Sequence, residues 1–74
     1  MKRYANRSGD SGVVAYELTA TSIWVKFRNN EKYEYSSIGR AGPKKVARMK
    51  QLAEAGEGLS AYISQQAHDD YERH

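Results

Sequence analysis

Seventy-four residues without a cysteine exclude a disulfide framework and a thiolate metal centre, and leave one domain held by its apolar core or by a partner. A chain this short buries only about 60% of the surface its unfolded form exposes, so a stability of about 4–11 kcal/mol and a ligand bound on the surface are expected. The net charge of +3 is weak evidence for a polyanionic partner, and no apolar run approaches a membrane span, so a cytoplasmic protein without a membrane partner is expected.

Residues 1–11 are polar and basic, with no periodicity, and read as a flexible N-terminal arm ahead of a single domain over 12–74. Three short alternating runs follow, rich in β-branched and aromatic residues as strands are. Val14, Tyr16 and Leu18 share one face of the first. Ile23, Val25 and Phe27 share a face of the second, while Trp24, Lys26 and Arg28 point the other way. Tyr33 and Tyr35 face inward from the third. Side-chain parity favours a three-residue loop over Asn29, Asn30 and Glu31, pairing Phe27 with Tyr33, Val25 with Tyr35 and Lys26 with Glu34. A four-residue turn, Thr19 to Ser22, pairs Leu18 with Ile23.

Gly42-Pro43 predicts a helix start, with proline where its missing N–H costs nothing. Val46, Met49 and Ala53 form the buried stripe, Leu52 lies at its edge, and Gly56 and Gly58 end the helix. Ser60 is the expected N-cap of a second helix whose stripe is Ile63, Ala67 and Tyr71, with Leu59 packing at its start. The predicted fold is α+β: a three-stranded antiparallel meander packed on one face by two α-helices.

In this order the elements resemble the KTSC domain, a module found at the C-terminus of some lysyl-tRNA synthetases. The resemblance is carried by Val14 and Tyr16, Ile23-Trp24-Val25-Lys26-Phe27, Tyr33-Glu34-Tyr35, Ala41-Gly42-Pro43, Val46, Met49-Lys50, Leu52-Ala53, Gly56-Glu57-Gly58-Leu59, Tyr62-Ile63 and Tyr71. It covers roughly residues 12–71, at ordinary domain length, and implies the stand-alone form of the domain. It implies a fold, and through the synthetase context an RNA ligand, but no catalytic residue. Ser36 to Gly42 departs from the Val-Pro step common in that family, so a different loop is expected there.

Charge is concentrated at one place. Residues 40–50 carry Arg40, Lys44, Lys45, Arg48 and Lys50 with no acid, whereas residues 51–74 are net acidic. Cations in a first turn oppose the helix dipole, and a helix N-terminus ringed by Arg40, Lys44 and Lys45 suits a phosphate. The competing readings are a solvated helix face, or neutralisation by the acidic C-terminal segment. Trp24, beside Lys26, Arg28 and Lys32, is either a base-stacking platform, a cover for the outer sheet against Tyr4, or a docking surface for a protein partner or second copy. Tyr33 and Tyr35 read as core more readily than as a stacking pair.

His68 and His74 are six apart, too far to share a helix face as a metal pair, and no Ser-His-Asp, paired-carboxylate or phosphate-loop pattern occurs. No cofactor is expected. The expectation is a non-catalytic module binding RNA or single-stranded nucleic acid through Arg40, Lys44, Lys45, Arg48 and Lys50, with Trp24, Lys26 and Arg28. The alternative is a protein-interaction or accessory domain, homodimeric in one form, docking through the Trp24 face.

Overall fold

The computed structural model describes residues 1–7, 9 and 11–73. Strands β1 (Lys2–Arg3), β2 (Val13–Leu18), β3 (Ser22–Phe27) and β4 (Lys32–Ser36) precede helices α1 (Gly42–Ala55) and α2 (Leu59–Gln66). The strands form one antiparallel sheet in chain order. The α+β architecture is as predicted, but the sheet has four strands rather than three. The arm expected over residues 1–11 contains the fourth. Lys2 pairs with Tyr16 and Arg3 with Ala15; Tyr4 is buried and its hydroxyl accepts the Leu59 N–H at 3.2 Å. Two charged residues carry no alternation to read, and short charged strands are how sheet edges are kept from pairing with other chains. Asp10, counted with that arm, lies outside the described residues.

The core is as the periodicities require. Tyr16, Ile23, Val25 and Tyr35 meet Val46, Met49 and Ala53 of α1 and Leu59 and Ile63 of α2. Two details of the sheet differ from expectation. Val14 is exposed and Val13 takes its core place, because Val13 pairs with Phe27 and Ala15 with Lys26, leaving Val14 as the extra residue of a β-bulge. The β3–β4 register is also shifted by two residues. Val25 pairs with Tyr33, Ile23 with Tyr35, Trp24 with Glu34, and Lys26 with Lys32 rather than Glu34. The cause is the loop. Asn30 donates its N–H to the Phe27 carbonyl and sits at φ 69°, and the Phe27 N–H closes on the Glu31 carbonyl. That is a type I turn ending in a left-handed residue, a conformation asparagine tolerates, centred one residue earlier than predicted. Parity survives, since a shift of two keeps every side chain on its face. The Thr19–Ser22 turn and the Leu18–Ile23 pair are as predicted.

Helix α1 begins and ends where expected, closed by Gly56 at φ 77°, whose N–H reaches the Leu52 and Ala53 carbonyls. The cap of α2 is Gly58, not Ser60, and no side chain among the described residues caps it. The helix stops at Gln66, so Ala67 is its C-cap and Tyr71 lies beyond it, stacked on Tyr33 with ring centroids 4.9 Å apart. No helix among the described residues is long and apolar enough to cross a membrane.

Candidate nucleic-acid interface

Helix α1 lays Val46, Met49 and Ala53 on the sheet, which turns Lys44, Arg48 and Gln51 to the far side of the molecule. Trp24 and Lys26 occupy the other sheet face. The two groups of predicted binding residues therefore lie on opposite sides and cannot form one surface.

At the helical pole the chain supplies its own anions. Lys45 Nζ meets Asp70 Oδ2 at 2.7 Å, with both side chains about one-third exposed. A carboxylate oxygen of Glu72 accepts the Arg40 backbone N–H at 3.0 Å, one residue ahead of the helix cap at Ala41. It lies so close to Gly39 that a Cβ there would collide with it. A negative charge at this end of a helix is favourable. Lys50 Nζ donates to the Thr19 carbonyl at 2.8 Å, and Arg48 to the Gln51 side chain at 3.3 Å. Only the Lys44 and Arg40 side chains, of the five cations, have no hydrogen-bond or ion-pair partner among the described residues. Asp70 and Glu72 carry no local signal in the sequence beyond the acidity of residues 51–74.

On the outer sheet face, residues directly opposite one another fall into transverse rows. One runs Arg3, Ala15, Lys26, Lys32 across all four strands; the next runs Glu17, Trp24, Glu34. Lys26 and Lys32 are therefore like charges placed face to face, an arrangement that costs stability. Neither they nor Arg3 has a side-chain hydrogen bond or ion pair among the described residues. Glu34 is engaged by the Ser22 hydroxyl at 3.0 Å and by Arg73 at 3.5 Å, whereas Glu17 is exposed. Trp24 is half-buried, and Met1 shares a shallow depression with it. Tyr4 is instead in the core and does not cover Trp24. Arg28 is tied back by a bond of 3.1 Å from its guanidinium to the Ser11 carbonyl. Arg3 was missed because its row exists only through the unpredicted strand β1.

Tyr33 is half-buried between Phe27 and Tyr71, and Tyr35 is buried. His68 pairs with Asp69 at 3.0 Å while Asp70 is committed to Lys45; His74 lies outside the described residues. No family model, curated protein or solved structure matches this chain.

Proposed function

We propose that the chain is a non-catalytic binding module for RNA or single-stranded nucleic acid, and that its contact surface is the outer sheet face rather than the start of α1. Trp24 is the stacking surface, and Lys26, Lys32 and Arg3 contact phosphates. The observation that carries this reading is the Lys26–Lys32 pair beside Trp24. Two facing cations without a partner among the described residues are a local cost that a bound phosphate removes, and an aromatic next to cations on an open sheet is the arrangement single strands use. The start of α1 is the weaker choice, because Asp70 and Glu72 already stand there. The resemblance to the KTSC domain supports the same ligand class, as a proposal resting on the ordered motif alone.

A second reading has one observation in its favour: Met1, an exposed large apolar residue, lines the same depression as Trp24. In that reading Trp24 docks a protein or a second copy. Salt separates the two. Phosphate contacts release counterions, so affinity for a labelled single-stranded RNA should fall steeply with salt. In Lys26→Glu/Lys32→Glu the slope of log affinity against log salt should shrink by about 1.4, at roughly 0.7 per contact. A parent that binds no RNA or single-stranded DNA, but self-associates in a salt-indifferent way, overturns the proposal in favour of docking.

A further inference from the structure

A cleft of about 350 Å³ opens between the β3–β4 hairpin and the segment after α2. Four aromatic side chains line it, Phe27, Tyr33, Tyr35 and Tyr71, and His68 stands on the same wall. Phe27 and Tyr33 are tilted at 56° with centroids 5.5 Å apart, and Tyr71 stacks on Tyr33. Glu31 and Asp69 supply its carboxylates, the second paired with His68 at 3.0 Å, and no lysine or arginine lines it among the described residues, although the chain as a whole is basic. Burial first, and then the Glu31 charge, hold the Tyr33 hydroxyl above its ordinary pKa; burial, the neighbouring tyrosines and Asp70 push that of Tyr35 up further.

A cleft lined by aromatic rings, with two carboxylates beside them, repels phosphate and suits a cation. A bare ammonium keeps its water, whereas a methylated one is weakly hydrated and exchanges apolar surface with the rings while its charge is balanced by the two carboxylates. The volume falls within the range of small-molecule sites. We propose that this cleft binds a quaternary ammonium group. The inference is independent of the nucleic-acid reading, whose surface is the opposite face of the sheet.

The test is a titration of the full ¹⁵N-labelled chain by NMR at constant ionic strength. The probes are choline, a trimethyllysine peptide, the same peptide unmodified, and 3,3-dimethylbutanol as the neutral isostere of choline. Saturable shifts confined to Phe27, Tyr33, Ser64 and Tyr71 are expected with choline, with the trimethyllysine peptide, or with both. The tighter of the two identifies the source of the group. Glu31→Gln/Asp69→Asn, which changes exposed rim residues and keeps the Asn29 bond to position 31 available, should weaken binding about threefold or more per carboxylate. The proposal is overturned if neither cation produces localised saturable shifts, if the neutral isostere binds as well, or if the double variant binds like the parent while keeping its spectrum.

Discussion

The Glu72 carboxylate accepts the Arg40 N–H while resting against Gly39, so a residue near the C-terminus stands in front of the helix that carries the basic pole. The two ends of this relationship are coupled. Gly39→Ala must push the carboxylate away, and because the obstacle is the tip of a flexible side chain the cost should be only about 1 kcal/mol. In a Glu72→Ala background the same substitution should cost almost nothing. A double-mutant cycle by urea denaturation measures the difference; additive effects would mean that Glu72 does not sit there in solution.

Gly56 and Gly42 have similar left-handed backbones, at φ 77° and 82°, but different surroundings. Among the described residues nothing lies within 4 Å of a Cβ at Gly42, whereas at Gly56 it would meet the Ala5 Cβ at 2.5 Å. Gly42→Ala should cost the backbone strain alone, about 1–2 kcal/mol. Gly56→Ala should cost more, because it also dislodges the N-terminal segment, whose Arg7 N–H bonds the Gly56 carbonyl at 2.7 Å. Equal losses in thermal melts would show that residues 4–7 do not pack against the end of α1.

These two glycines also mark what the sequence made legible. The helix boundary at Gly56 is local chemistry, and so is the stripe of Val46, Met49 and Ala53. The face of Trp24 follows from period-2 alternation alone. The register of β4 does not, because parity is blind to a shift of two. It was set by Asn30 adopting the left-handed position, which moved Glu34 from Lys26 to Trp24 and left Lys32 opposite Lys26. The neighbours that define the candidate site therefore escaped the sequence although its orientation did not. The placement of Asp70 and Glu72 against residues some 25 and 32 positions earlier is long-range packing with no periodic trace.

Core energetics should follow depth rather than size. Ile23 is fully buried while Phe27 is only half-buried at the end of β3. Ile23→Ala should remove about 2–5 kcal/mol, a large part of the expected total, and Phe27→Ala should remove less. The order of the two urea midpoints checks the structure's assignment of the sheet centre.

Alkaline stability has a defined sign. The Tyr35 hydroxyl is held well above its ordinary pKa of 10.0, chiefly by burial. Below pH 10 both folded and unfolded chains keep that proton, and its contribution is fully present. Above pH 10 the unfolded chain releases it while the folded chain retains it, so stability falls as pH rises, by up to about 1.4 kcal/mol per pH unit for one proton. Tyr35→Phe should flatten this slope between pH 10 and 11 in urea melts. An unchanged slope would show that Tyr35 ionises as freely in the folded chain.

The opposite placement of the two basic surfaces makes the choice between them measurable in one series. Lys44 and Arg48 lie one turn apart on the outer side of α1, where their charges repel and Lys44 opposes the dipole. Lys44→Glu/Arg48→Glu should leave the fold intact and stabilise it by up to about 1 kcal/mol, since acids are favoured in a first turn that has none. If the sheet face is the binding surface, this variant should lower RNA affinity only weakly and keep the salt slope of the parent. Lys26→Glu/Lys32→Glu should abolish most of the binding instead. Trp24→Ala should weaken binding by about 1–3 kcal/mol with the slope unchanged, because stacking releases no counterions. Fluorescence anisotropy with one labelled RNA at several salt concentrations reads all three variants. A collapse of affinity in the helix variant with the sheet variant unaffected would move the interface to α1, and would mean that a polyanion displaces Asp70 and Glu72 from the pole they occupy.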